Sequence, residues 1–269
     1  MVTKEKIERY IEKVPPIPKE LQRCIESVEK GDLTKAAKIA SENRAICTYL
    51  IETVNRPIFG FFRNRVENIS QIFGILGLTT AKQLLYAYLN TLLLPSKWRV
   101  FELDNTSFFK LQSDLLFYWN KILEFEKNEE DHLKIAINFI PSAIFVAEEM
   151  FKENFEEFVI IKQVKEINYN EMLQKFTGMN LFDISSLICK KWNMPQPIIQ
   201  LLKDLGELDA SDEKYGKFVR YMHLLLFFEF SKPLYIQAGL NDFIEFHPDF
   251  VEEVYQNFNQ IVGLYETCN

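Results

Sequence analysis

Apolar residues return every third or fourth position along almost the whole 269-residue chain, and no segment alternates apolar with polar long enough to make a strand. Leu21, Cys24, Ile25 and Val28 follow the i, i+3, i+4, i+7 rule, and so do Ile46, Cys47, Leu50, Ile51 and Val54. A stripe of this period is buried only by packing against other helices. The chain is therefore expected to be all-α, with roughly a dozen helices and no fixed-period repeat or low-complexity tract.

The helix stops are legible. Gly31 follows the first of these segments, Pro57 prevents the second from continuing, and Gly77 ends Ile69–Leu76, after which Thr79 opens a longer helix reaching about Leu94. The stretch "PSKWRVFELDN", Pro95 to Asn105, is irregular and marks the best break. A long helix then carries Phe108, Leu111, Leu115, Trp119, Ile122 and Phe125 inward. The expected division is 1–104 and 105–269, the two halves forming one cooperative unit through that helix. In the second half helices are predicted around 131–153, 155–167, 170–177, 183–192, 195–205, 212–230 and 248–264, with Pro141 interrupting the first.

Composition sets the class. Hydrophobic residues make up 48% of the chain, and 24 Phe, 11 Tyr and 3 Trp against 9 Gly mean a core built from aromatic rings. The net charge is −7, with 31 Lys and Arg scattered among 38 Asp and Glu, which argues against nucleic acid as a partner. Cys24, Cys47, Cys189 and Cys268 lie far apart without CxxC spacing and read as reduced thiols. There is no charged-then-apolar leader, and no run of consecutive apolar residues is long enough to span a bilayer, so a cytoplasmic location is expected.

Motifs that carry chemistry are missing. His132, His223 and His247 each stand alone, without HExxH, HxxxH or a cysteine at ligand spacing, and no phosphate-binding glycine motif or GxSxG elbow is present. No catalytic, metal or cofactor-binding residue is assigned. His223, within "YMHLLLFFEF", reads as a core-edge histidine bonded to a backbone or side-chain acceptor. The polar loop "VNRPIFGFFRNRVEN", Val54 to Asn68, interleaves arginines with aromatic rings. Asn55, Arg56, Phe59, Phe61, Phe62, Arg63 and Arg65 are the candidate partner or ligand surface, the other reading being rings plugged into the core and arginines paired with surface carboxylates.

Three further pieces, "VPPIP" (Val14–Pro18), "AAKIASENRAICTYLIETVNRPIFG" (Ala36–Gly60) and "VENISQIFGILGLTTAKQLL" (Val66–Leu85), resemble in order and spacing the HDOD domain of bacterial signalling proteins. Asn55, Phe59 and Gly60 match its asparagine–aromatic–glycine turn, and Ile69, Ile72 and Gly77 the helix after it, although Phe73 or Gly74 stands near the usual small residue. "FYWNKI" (Phe117–Ile122) resembles the start of the family's HD-related half and "LICKKWNMP" (Leu187–Pro195) its later tryptophan–proline landmark, so the resemblance runs from about residue 12 to 230.

HD-type phosphohydrolases hold one or two metals with a histidine, a His-Asp doublet and a distant aspartate. Here Asn120 stands near the first histidine's place, the doublet region reads "NFIPSAIF" (Asn138–Phe145), and the stretch before Trp192 offers Leu181 and Phe182. Glu229 and Asp183 are isolated acids, and Asp131–His132 has the reversed order. The resemblance thus implies a non-catalytic signal-transduction module, without metal or cofactor, that binds a signalling protein in trans or a small-molecule ligand. The alternative is a divergent metal-dependent phosphohydrolase acting on a nucleotide or cyclic dinucleotide. A third reading, nucleic-acid binding through the Arg/Phe loop, needs a concentrated basic face.

Overall fold

The structure, a computed structural model, describes residues 2–59 and 65–266, apart from the side chains of Phe59 and residues 264–266. Among the described residues every regular element is a helix, as the 3.6-residue period predicts. Two compact units are present, Pro15–Leu93 and a second made of Met1–Val14 with Leu94–Asn269.

The smaller unit packs α2 (Lys19–Glu29), α3 (Leu33–Glu42), α4 (Arg44–Val54) and α5 (Ile69–Tyr88), with a 3-10 turn over Leu89–Leu93. Leu21, Cys24, Ala36, Ala40, Ile46, Leu50, Ile72, Leu84 and Leu85 fill its core. The turn between α2 and α3 depends on Gly31 at φ 77°, which lets the Gly31 amide reach Val28 O and the Asp32 amide reach Ser27 O. Asp32 and Asn43 then cap α3 and α4 with their side chains. Within α5, Gly77 adopts φ 68° and breaks the helical path, as expected from the sequence. The span Ile69–Leu93 is long and apolar enough to cross a membrane by composition, with 61% of its most apolar window buried inside the protein and a non-helical Gly77 within it.

The larger unit begins with α1 (Lys4–Lys13) and continues through α6 (Asn105–Phe125), α7 (Asp131–Ala136), α8 (Ser142–Lys152), α9 (Phe155–Lys165), α10 (Tyr169–Thr177), α11 (Leu181–Lys191), α12 (Gln196–Glu207), α13 (Gly216–Phe230), α14 (Pro233–Gln237) and α15 (Pro248–Glu266). Pro141 stands at the start of α8, so the span 131–153 is two helices joined by a 3-10 turn at Ile137–Phe139. The short α14 and a 3-10 turn at Leu240–Phe243 fall where no helix is predicted.

Helices α11 and α12 pack as a pair, α8 lies on α11, and α13 packs on α6 and α15. Trp192, 3% exposed, sits at the α11–α12 joint with its ring 6.3 Å from Phe139, and Asn193 takes φ 54° before Pro195 starts the next helix. Trp119 is buried on α6 and donates its indole N–H to Leu133 O at 2.7 Å. Phe108 and Phe145 meet with centroids 4.5 Å apart.

Two sequence expectations are corrected. The division falls at Leu93–Leu94 rather than near residue 105, with α1 in the larger unit. The reason is Glu148: wholly buried on α8, its carboxylate accepts the amides of Arg99, Val100 and Phe101 at 2.6 to 3.2 Å and ties the stretch after Leu94 to that helix. Helix α1 also packs on α8 and α11. The second correction is Phe125, which is 42% exposed. Seven residues beyond Trp119 the helix face returns at 126, not 125, and Glu126 takes that place, accepting Tyr221 Oη and Lys217 Nζ at 2.6 Å each.

Candidate functional site

The loop singled out in the sequence is closed at its base by one side chain. Asn55, just past the end of α4, donates through Nδ2 to Ile51 O at 2.7 Å and Val66 O at 2.8 Å, and its Oδ1 accepts the Val66 amide at 2.8 Å. Asn68 then caps α5 through the Ser70 amide. Asn55 in the family-like turn is therefore a clamp that fixes where the chain leaves and re-enters the helices. Pro57–Phe59 form a single 3-10 turn. Arg56 is half-buried and Arg65 exposed, whereas Phe61, Phe62 and Arg63 lie outside the described residues, as does Gly60.

In the larger unit, most of the residues that the resemblance sets near the HD ligand places are packed into the core. Phe139, Phe145, Leu181 and Phe182 are buried, and Asn120 is half-buried on α6. Asp183 serves α11: Asn180 Oδ1 accepts the Phe182 and Asp183 amides, while Asp183 Oδ2 accepts the Asn180 amide at 2.9 Å. His132 faces Glu130 at 3.3 Å with the Tyr215 ring edge-on, and Glu130 also holds Lys214 Nζ and Tyr215 Oη. Among the described residues no three His, Cys, Asp or Glu side chains gather in a group that could hold a metal ion.

Two buried charge groups escaped the sequence reading. Glu148 is one. The other joins Asp114 on α6 to Glu229 on α13 through Lys232, which lies 2.7 Å from Glu229 and 3.6 Å from Asp114, while Lys110 reaches Asp114 at 2.5 Å. The Lys232 ammonium also sits over the Phe228 and Tyr118 rings at 4.8 and 5.3 Å. Burial pushes the Glu229 carboxyl up to about 7, with Asp114 adding to the shift and Lys232 opposing it. Asp114 and Glu229 are 115 positions apart, and only their polar character on otherwise apolar helix faces signals them.

The third element is the surround of His223. Its Nε2 lies 3.0 Å from Glu245 O, as the reading of a backbone-bonded core-edge histidine expects, and its ring is 5.5 Å from that of His247. Burial pushes its pKa down to about 4, the neighbouring His247 adding to the shift and the Glu245 carbonyl opposing it. The cysteines read as expected where described: Cys24, Cys47 and Cys189 are free thiols, and burial raises the pKa of Cys24 and Cys189.

The HDOD domain profile matches residues 12–205, nearly three quarters of the chain. The chain belongs to the HDOD domain family. The match begins where the resemblance of "VPPIP" and the following helices begins, and it ends before α13, so His223 and Glu229 lie beyond it. Two solved structures share the fold of this HDOD protein. One is an HDOD domain protein of unknown function from Geobacter sulfurreducens, at TM-score 0.63 and 11% identity over 96% of this chain and 95% of that one. The other comes from Shewanella amazonensis SB2B and is described as a candidate metal-dependent phosphohydrolase, at TM-score 0.56 and 17% identity over 96% and 94%. No curated protein matches the chain.

Proposed function

We propose that this HDOD protein is a non-catalytic regulatory module of bacterial signal transduction, passing on a state through a signalling protein bound in trans. The observation that carries the reading is what occupies the places of the HD ligands. Near those places the resemblance puts Asn120, the stretch Asn138–Phe145, and Leu181 with Phe182, none able to replace a histidine or His-Asp ligand, and Asp183 and Glu148 are committed to backbone amides that need them. A carboxylate that satisfies several amides in the core leaves them orphaned if it turns to a metal. The partner surface in this reading is the loop based on the Asn55 clamp, with Arg56, Phe59, Phe61, Phe62, Arg63 and Arg65 as its contact residues.

The competing reading, a divergent phosphohydrolase, takes its support from the name given to the Shewanella amazonensis neighbour. Assays of the full chain with Mn²⁺ or Fe²⁺ and with bis(p-nitrophenyl) phosphate, mononucleotides and cyclic dinucleotides separate the two. The regulatory reading expects no hydrolysis above the metal-only rate. Turnover abolished by EDTA and restored by metal would replace it with the enzyme.

A further inference from the structure

A cavity of about 160 Å³ opens in the larger unit between the start of α10, the start of α11, the end of α12, His223 on α13 and the segment from Asp242 to His247. Its walls alternate apolar and polar. Phe182, Phe243, Leu205 and Ile244 supply flat or branched hydrocarbon, and Asn170, Glu171, Asp242, Glu245, His223 and His247 supply hydrogen-bonding groups. The last four, Asp242, Glu245, His223 and His247, stand beyond residues 12–205, the segment matched by the HDOD model.

The polar groups are partly committed. Glu171 accepts the Asn168 amide, Glu245 accepts Asn168 Nδ2, and Asp242 accepts the Tyr169 amide and pairs with Lys162. One oxygen of each carboxylate goes into holding the wall together. His223 is different. It is 2% exposed, Nε2 faces a carbonyl that can only accept, and the ring therefore carries its proton on Nε2. Its Nδ1 is then a lone-pair acceptor, buried and without a hydrogen-bond partner from the protein. His223 lines a cavity whose lining also includes three carboxylates, and with its buried Nδ1 unpartnered the site is short of donors and of positive charge.

We infer that this cavity binds a small organic cation rich in N–H donors, of the amidinium, guanidinium or aminated-ring class, which donates to His223 Nδ1 and lies between Phe182 and Phe243. Size, charge and hydrogen bonding select the same class. A cavity of about 150 Å³ accommodates a benzene-sized molecule, so one ring or its aliphatic equivalent fills the space. The carboxylates of Glu171, Asp242 and Glu245 outnumber the Lys162 ammonium, so an anion is repelled and a neutral isostere forgoes the charge-assisted bonds. The site stands without the regulatory reading, since none of its residues belongs to the Asn55 loop.

The test is calorimetric titration of the full chain with benzamidine, and with benzamide and benzoate as its neutral and anionic isosteres. Benzamidine is expected to bind saturably at one site, with both isosteres weaker by about tenfold or more. Two variants localise the site: His223→Gln at the buried acceptor, and Glu245→Gln on the exposed rim, which keeps the core intact. Each is expected to weaken benzamidine by about tenfold while the melting temperature of Glu245→Gln stays that of the parent chain. If His223→Gln does not fold, the long-range ¹H–¹⁵N spectrum of the parent chain reads the same contact, because a donor arriving at Nδ1 shifts that nitrogen upfield. Absence of benzamidine binding, equal binding of benzoate, affinity unchanged in Glu245→Gln, or an Nδ1 resonance that ignores saturating benzamidine would each overturn the proposal.

Discussion

Asn55 and Val66 are joined by two hydrogen bonds of 2.8 Å, one in each direction, so that a single side chain joins two positions eleven apart in the connection between two helices. No other side-chain type offers a donor and an acceptor in that geometry except glutamine, which is one methylene too long.

Asn55→Ala is therefore expected to lower stability by about 1–3 kcal/mol, because it leaves the Val66 amide and carbonyl without partners. Asn55→Asp keeps the acceptor and loses the donor, and is expected to fall between the two. Urea unfolding of the three chains checks the order. An Asn55→Ala chain as stable as its parent would mean that the clamp does not hold the loop.

The loop itself has a separate expectation. In the Arg63→Ala/Arg65→Ala double variant the melting temperature is expected to stay that of the parent, while affinity for the protein partner proposed above falls by about 1–3 kcal/mol. Calorimetry with the purified partner measures it. A folded double variant with unchanged affinity would remove this loop from the partner surface.

Helix α6 sorts its aromatic residues by face. Phe108 and Trp119 are fully buried and their truncation to Ala is expected to cost about 3–5 kcal/mol each. Phe125, 42% exposed, is expected to cost well under about 1 kcal/mol. Equal losses at all three positions in denaturant titrations would contradict the assignment of faces.

How much of this was legible depended on whether the signal was local. Gly31, Pro57, Gly77 and Pro141 each act within one turn of helix, and all four break helices where the sequence says they should. Asn168 and Asn180, three residues before Glu171 and Asp183, write their caps in the same way. Phe125 was misplaced by one residue of helical phase, and a strict seven-residue count from Trp119 points to Glu126. Glu148 gathering three amides some 48 positions away has no local trace, and neither has the meeting of Asp114 with Glu229. The cavity around His223 draws on five elements separated in sequence, so only His223, read as a core-edge histidine, was singled out from the sequence.

Glu229 and His223 give stability a pH dependence with two opposed parts. Glu229 titrates from an ordinary 4.5 up to about 7 when folded, so between those values the folded chain keeps a proton that the unfolded chain has released. Stability is lost as pH rises through that window. His223 moves from 6.5 down to about 4, so the unfolded chain binds the proton first and stability is lost as pH falls through that window. Glu229→Gln removes the first part only. Its stability relative to the parent is expected to grow by up to about 3 kcal/mol between pH 4.5 and 7.5, as urea midpoints across that range would show. A difference independent of pH would mean that Glu229 is ionised throughout in the folded chain.

In the proposed regulatory reading, the HD-related helices keep their packing while residues that hold the core stand at the ligand positions. Metal content separates this reading from a working metal centre. The full chain is produced in medium supplemented with Mn, Fe and Zn, purified anaerobically, and analysed by inductively coupled plasma mass spectrometry against protein concentration. Each of the three metals is expected far below one per chain. A metal near one per chain, lost when Asp183, Glu148 or Glu229 is replaced in a variant that still folds, would contradict it.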